Sequence, residues 1–518
     1  MTTANSLQHK SIADFVESTL QTYSEKPAYA CLGQTLTFGE IEEKSRALAC
    51  FLQQHPELQP GDRIAIQLPN LIQYPIAAYA AFRAGLVIVN TNPLYTPPEM
   101  QHQFKDSGAK ALIILQDLLP KFDAIKAQTD IDLVIATSAP DLLTNDLADA
   151  PDGCMSLNQI LKEFANQDLA ERSLVSLDDN CVLQYTGGTT GVSKGACLSH
   201  GNILSNALQV HERLKVKLID GEEVFICPLP LYHIYAFTVN MMMMFSNGNL
   251  NVLIPNPRDI DGFVDAIAPF KFTAFSGINT LFVGLAHHEK FKSLDFSKFK
   301  FTVSGGTALT SSAVDVWRTV TGCSITEGYG LSETSPVLCL NTPDHEILGT
   351  VGQPLIDTEI QLWDENNNQV EEGEIVARGP QVMSGYWNMP EETAKVMNDG
   401  FFKTGDVGVR LPTGEIKIVD RLKDMIIVSG FNVYPNEVED VLTKHPKILE
   451  AAVVGEQDEK SGEKVCAYIT VADELPSEQV IAHCRDHLTA YKIPKKVVVL
   501  DELPKSTVGK ILRRELRK

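Results

Sequence analysis

The sequence predicts a multi-domain α/β protein. A large N-terminal domain (1–419) of two doubly wound sheets carries a small β-barrel-like module at about 345–419, and a small α+β C-terminal domain (420–518) follows. Three observations predict this. Short apolar runs alternate with amphipathic helical stretches between 38 and 115 and again from 181, the pattern of parallel α/β packing. After Gly349 the runs shorten and are punctuated by Gly and Pro. Charge changes character at 420: residues 421–518 hold 16 basic and 16 acidic side chains, so the whole net charge of −22 lies in the preceding body.

The elements follow in order. Thr37-Phe38-Gly39-Glu40 has the form of a capping box, and Ile41, Leu48, Phe51 and Leu52 recur at helical spacing, giving a helix over 38–54. A strand at 64–66, a helix at 70–84 ended by Gly85, a strand at 86–89, a helix at 97–106 and a strand at 111–115 continue the alternation. Residues 138–180, with Asp141, Asp146, Asp149 and Asp152, are poor in strand signals and read as a surface excursion. A strand at 181–185 then leads through a Gly/Thr loop to a helix at 202–214. Further strands are expected at 224–227, 250–254, 272–276 and 300–304, and in the β module at 358–363, 374–378 and 416–419.

Composition narrows the function. Apolar residues make up 44% and charged residues 21% of 518, the balance of a soluble globular protein of several domains. A net charge of −22 repels phosphate backbones, so no nucleic-acid partner is expected. The ten cysteines form no CxxC and read as reduced thiols of a cytoplasmic protein. The N-terminus has no apolar core of a signal peptide. The most apolar window, 234–245, carries Asn240 and is too short to span a bilayer, which needs ~20 residues. Its four methionines, Met241 to Met244, fit helix core or an adaptable tunnel lining, and core is the better fit.

Several stretches carry chemistry. Gln184-Tyr185-Thr186-Gly187-Gly188-Thr189-Thr190-Gly191-Val192-Ser193-Lys194-Gly195 follows a strand. Its glycines expose backbone N–H groups, its threonines add hydroxyls and Lys194 adds charge, which together make a phosphate cradle. It is not a Walker A loop, because Ser193 precedes the lysine and Gly195 follows it. Gly328-Tyr329-Gly330-Leu331-Ser332-Glu333-Thr334 is a second Gly-rich turn with one carboxylate suited to a hard cation on a polyphosphate. Ser304-Gly305-Gly306-Thr307-Ala308 fits a strand-end turn or a surface for a flat base equally well. Thr404-Gly405-Asp406 offers a carboxylate that can accept both hydroxyls of a ribose. Pro504-Lys505-Ser506-Thr507-Val508-Gly509-Lys510, alone, would be a solubilising turn.

Together these motifs, with 420–437, stand in the order and spacing of adenylate-forming acyl-CoA ligases, which the chain resembles over nearly its whole length. It is most similar to the bacterial long-chain fatty acid–CoA ligases through Pro230-Leu231-Tyr232-His233-Ile234-Tyr235-Ala236-Phe237, Asn256-Pro257-Arg258-Asp259-Ile260 and 424–435.

The resemblance implies two half-reactions: acyl-AMP and pyrophosphate form from a fatty acid and ATP, then coenzyme A takes the acyl group and AMP leaves. It implies ATP and coenzyme A as co-substrates and Mg2+ as cofactor. Thr186, Gly187, Gly188, Thr189, Thr190, Gly191 and Lys194 would hold the β- and γ-phosphates. Glu333 would bind Mg2+, and Ser332 would approach the α-phosphate. Gly305, Gly306 and Thr307, with Glu327, Gly328, Tyr329 and Gly330, would frame the adenine. Asp406, helped by Arg421, would bind the ribose. Lys423 belongs with the nucleotide set and opens the segment 423–430. His233, which alone would read as a structural imidazole, would lie beside the acyl carboxylate. Lys510 would bridge carboxylate and α-phosphate. Asp420 would be the hinge of a mobile C-terminal domain, and Gly430 would let the pantetheine arm of coenzyme A pass. Two departures stand out: Ile427 and Ser429 replace lysines of some relatives, so coenzyme A contacts are not carried over there, and 130–180 is shorter and more acidic than in familiar long-chain members.

A cytoplasmic enzyme is implied, with membrane contact at most transient and peripheral, and a homodimer is compatible with the family. Two alternatives are an adenylate-forming ligase for an aryl or medium-chain acid or a carrier-protein acceptor, and a non-catalytic nucleotide-binding regulator. The regulator predicts loss of Lys510, Glu333 or Asp406, and all three are present.

Overall fold

The computed structural model describes residues 9–143, 150–172, 175–186, 192–458, 460–506 and 509–517. Among the described residues the chain builds four sheets. In the first, strand Arg63–Gln67 lies between Ala109–Leu115 and Val87–Asn90. Leu133–Thr137 and Met155–Ser156 extend one side, and Asn180–Thr186 with Lys194–Ser199 the other. All of its neighbours are parallel except the last pair. Its inner strands are apolar on both faces (Ile64, Ala65 and Ile66 are fully buried), as helices on both sides require.

The second sheet joins nine strands, with parallel Val224–Cys227, Leu250–Leu253, Ala274–Gly277, Phe301–Ser304 and Ile325–Gly330 at its centre. Pro27–Cys31 pairs parallel with Leu250–Leu253 across more than 200 residues of sequence, an edge that local patterning does not announce. Helices between the sheets bury the largest cluster. There Tyr29 and Tyr79 share a 2.6 Å hydroxyl contact, and Tyr79 Oη donates to the Met241 carbonyl at 2.8 Å. Met241 to Met244 are fully buried on the helical stretch Phe237–Met244, as core side chains. Trp317, also fully buried, packs against Phe275, Phe282 and Phe291 and donates Nε1–H to Thr302 at 2.9 Å.

The expected helices begin and end where their caps dictate. Thr37 and Glu40 close the capping box of Phe38–Gln54. Thr96 and Glu99 do the same for Pro97–Ser107, which stops at left-handed Gly108. Three details differ from expectation. The helix expected from 70 starts as Gln73–Arg83, because Asn70 folds outward from the helix to bond the backbone at Cys227, Leu229 and Leu231. A strand, Lys194–Ser199, intervenes before the helix His200–Leu214. The excursion at 138–180 returns to the first sheet through Met155–Ser156 and the helix Leu157–Glu163, whose Leu157, Ile160 and Leu161 are buried; Asp146 and Asp149 lie outside the described residues.

The third sheet is antiparallel and centred on the ten-residue strand Phe401–Arg410, which pairs with Glu372–Arg378, Met397–Asn398 and Ile416–Arg421, with Glu359–Trp363 at the edge. Among the described residues no pairing closes it into a ring, so the expected barrel-like module is an open sheet there. Gly373 and Gly408 face each other in its pairing, and Ile360, Leu362 and Ile375 pack on Leu338 and Cys339 of the second sheet. Residues 421–518 form a fourth sheet around Gly462–Val471, backed by helices Pro435–Thr443 and Ser477–His487. Among the described residues no helix is long and apolar enough to cross a membrane.

Candidate active site

Phe301–Ser304 and Ile325–Gly330 are parallel neighbours in the second sheet, and Asn180–Thr186 of the first sheet lies against the turn Ser332–Thr334 that follows them; the carboxyl ends of such strands are where α/β proteins collect ligands. Thr186 and Lys194 pair across the antiparallel ladder, so the Gly/Thr loop is pinned at both ends. Gly187, Gly188, Thr189, Thr190 and Gly191 lie outside the described residues. Ser193 Oγ donates to the Thr186 carbonyl at 3.0 Å and tightens the loop base. Lys194 is ion-paired with Glu392, and its ammonium sits 5.1 Å over the ring of Tyr386.

Glu333 occupies the 3-10 turn Ser332–Thr334, which also carries Ser332. Its side chain is only slightly exposed, burial raises its pKa, and the Tyr386 phenol donates to Oε1 at 2.8 Å. Upstream, the strand passes so close to its neighbour that a Cβ on Gly330 would stand 1.9 Å from the Pro336 carbonyl, so only glycine fits.

Gly305, Gly306 and Thr307 follow Phe301–Ser304. A Cβ on Gly305 would lie 3.3 Å from the Tyr235 ring and 3.6 Å from the Gly328 carbonyl, so Gly305 sits between an aromatic face and the next strand. Tyr235 is fixed by donating to the Val303 carbonyl at 3.1 Å. The hydroxyls of Ser304 and Thr307 are buried without a hydrogen-bond partner among the described residues. Glu327, opposite Ser304 within the next strand, is pushed up to about 8 by burial and accepts from the Leu309 amide at 3.3 Å. Unused hydroxyls and a protonated carboxyl around a glycine slot fit a hydrogen-bonding ligand such as a nucleoside.

The Tyr329 phenol donates to Asp406 Oδ2 at 2.7 Å, joining the second sheet to the third. Asp406, directly opposite Arg421 in the ladder, pairs with its Nε at 3.2 Å. Lys423 follows in the next turn.

Lys510 reaches this place from the far end of the chain. Its turn is held by the Ser506 amide donating to the Lys510 carbonyl at 2.7 Å, by the Lys510 amide donating to Ser506 Oγ at 3.1 Å and by Thr280 Oγ1 donating to the Gly509 carbonyl at 3.4 Å. Burial, then the positive charge of Arg421, lowers the Lys510 ammonium to about 7, with Arg513 and Lys423 adding to the effect and Asp406 opposing it. His233, at the cap of Ile234–Ala236, is lowered to about 4 by burial and then by Lys510, so it is neutral. A buried ammonium among guanidinium groups with a neutral imidazole beside it is a cationic field suited to an anionic ligand.

Two expected residues lie outside this cluster. Asp420 is buried, its pKa raised by burial. It accepts from the Arg421 and Asn436 amides at 2.8 and 2.9 Å and pairs with Arg513 at 3.3 Å. Gly430 is exposed in the turn between Ile426–Val428 and Phe431–Val433, facing open space. The sequence reading missed Tyr386, Glu392 and Arg513. The one available signal was Gly385-Tyr386-Trp387, a Gly-aromatic step before the helix Pro390–Val396.

The AMP-binding enzyme family model matches residues 16–387, and the AMP-binding enzyme C-terminal domain model matches 437–510. Long-chain-fatty-acid–CoA ligase of Yersinia pestis is 42% identical, covering 98% of this chain and 94% of that protein; the enzyme of that name from Salmonella typhi shows the same values. The crystal structure of the anthranilate CoA ligase AuaEII with anthranoyl-AMP superposes with a TM-score of 0.91 at 25% identity, covering 100% of this chain and 98% of that one. Matched by both family models and by relatives of this identity along its length, the chain belongs to the AMP-binding enzyme family.

Proposed function

We propose that the protein is an ATP-dependent long-chain fatty acid–CoA ligase that releases AMP and pyrophosphate. The observation that carries this reading is Asp406, held by the Tyr329 phenol at 2.7 Å and Arg421 Nε at 3.2 Å, with the buried tail lysine Lys510 near enough to feel the charges of both Arg421 and Asp406. In the first half-reaction a fatty carboxylate oxygen bonds to the α-phosphorus of ATP and the bond to the β-phosphate breaks, releasing pyrophosphate. An anion must approach a polyanion, so positioned cations supply the gain. Lys510 offsets the repulsion between the two negative partners, while His233, neutral and accepting the Tyr235 amide at Nδ1, keeps its Nε2–H to donate to the acyl carboxylate. Asp406 accepts the ribose hydroxyls, with Arg421 holding its other oxygen. Gly305, Gly306, Thr307 and the strand 327–330 hold the base, and Thr186 and Lys194 anchor the phosphate loop.

Among the described residues no cluster of three or more His, Cys, Asp or Glu side chains could hold a metal ion. Glu333 fits Mg2+ on other grounds: it is one buried carboxylate oriented by a phenol, and Mg2+ takes one or two carboxylates plus substrate phosphates. When bound, the ion neutralises phosphate charge.

In the second half-reaction the coenzyme A sulfur bonds to the acyl carbon, AMP leaves and the thiol proton is released. Residues 420–518 turn about Asp420, withdrawing Lys510 and bringing 423–430 with Gly430 forward. The test is pyrophosphate and AMP release across fatty acids of rising chain length, with and without coenzyme A. Turnover that grows with chain length supports the reading; turnover only with aryl acids, or none with coenzyme A, would overturn it.

A further inference from the structure

We infer that Tyr386 is a positioning residue for the triphosphate end of the site, acting through Glu333; the inference rests on the ligase reading. Tyr386 belongs to 383–387, which ties together two pieces of chain that approach the phosphates from different sheets. The Met383 amide donates to the Glu333 carbonyl at 2.8 Å. The Cys197 amide donates to the Gly385 carbonyl at 2.9 Å and the Trp387 amide to the Gly195 carbonyl at 2.7 Å, with Ala196 and Tyr386 bridged between them. This segment is therefore bridged to the edge strand that carries Lys194 and is also fastened to the turn that carries Glu333.

One side chain then serves both. The phenol donates to Glu333 Oε1 at 2.8 Å, and the face of the same ring lies 5.1 Å below the Lys194 ammonium. A buried carboxylate with one oxygen fixed presents its other oxygen in a set direction, which a hard cation riding on a nucleotide needs. The backbone of Tyr386 is itself locked, because its amide donates to Thr393 Oγ1 at 2.9 Å. The hydroxyl thus has a fixed origin and a fixed target.

The test uses Y386F, which keeps the ring and the backbone pairing and removes only the hydroxyl. ATP binding to the full-length protein is measured by calorimetry without any acid, over a series of Mg2+ concentrations, for wild type, Y386F, E333Q and the double variant. Y386F is expected to raise the Mg2+ needed for half-maximal ATP binding by roughly tenfold, the usual cost of losing a group that orients a metal ligand. Thioester formation from supplied acyl-AMP is expected to stay unchanged, and in the E333Q background Y386F should add nothing, since it acts through Glu333. An unchanged Mg2+ dependence, an equal loss at every Mg2+ concentration, or additive effects of the two substitutions would overturn the inference. A wild type that binds Mg-ATP but never forms pyrophosphate from any fatty acid would instead overturn the ligase reading and leave the binding comparison readable.

Discussion

The two ends of the candidate site handle charge in opposite ways. At the phosphate-loop end the charged groups already have partners: Lys194 with Glu392 and the Tyr386 ring, Glu333 with the Tyr386 phenol. At the tail end, Lys510 makes no ion pair among the described residues and is crowded by Arg421, Arg513 and Lys423. A site built on the body of the protein can keep its charges satisfied and exchange partners when substrate arrives. A charge delivered by a separate segment arrives without its partner, so the substrate anion completes it. The first arrangement favours a stable resting state, and the second makes docking of the tail depend on what is bound.

Removing Asp406 should disturb the tail end most. D406A loses the proposed ribose acceptor and a negative charge that supports the Lys510 ammonium, so we expect the KM for ATP to rise about a hundredfold, from two charge-assisted hydrogen bonds. Initial rates over a series of ATP concentrations would show it, and a change confined to kcat would count against the assignment. Next, D420P removes a backbone donor and the freedom of a buried turning point. It should slow thioester formation about tenfold more than pyrophosphate release, a difference of about 1.4 kcal/mol in barrier; equal slowing of both steps would remove the hinge role.

The pH response separates the ends as well. With a pKa lowered to about 7, Lys510 is an ammonium below that pH and loses its proton above it. The kcat/KM of pyrophosphate release, which reports the free enzyme, should therefore fall as pH rises through about 7. K510R should carry the fall to much higher pH, because a guanidinium keeps its charge. The smallest effect is expected at the phosphate-loop end. E392Q frees Lys194 from a half-exposed pair, so the KM for ATP should drop about two- to threefold, the scale of a surface ion pair. A rise in KM would mean that Glu392 anchors the lysine in its working position.

Much of this was legible in the residues, and the gaps have physical causes. The helix Phe38–Gln54 declared itself because cap and apolar stripe both lie within one short window. The phosphate-loop motif and the tail motif were readable because Gly, Thr and Lys at close spacing carry their own chemistry. Strand Lys194–Ser199 was missed because its first residues double as the end of a Gly/Thr loop, and its pairing is decided by Asn180–Thr186 on the far side of that loop. Phe401–Arg410 was missed because Gly405 and Gly408 break the apolar alternation, yet ladder bonds on both sides hold it extended. Tyr386 could not be found from spacing: its value comes from meeting Glu333, 53 residues away, and the edge strand, almost 200 away. Arg513 is similar, since Asp420, Asp424, Glu439 and Asn436 converge on it only after residues 421–518 have folded.

On the proposed mechanism the tail lysine serves the first half-reaction and not the second. The most direct measurement assays one preparation of K510A twice: for pyrophosphate release from fatty acid with Mg-ATP, and for acyl-CoA formation from supplied acyl-adenylate. We expect a loss of about 100- to 1,000-fold in the first assay, the scale of removing a charge-stabilising group, with the second near wild type. An equal fall in both assays, or full pyrophosphate release without the lysine, would contradict it.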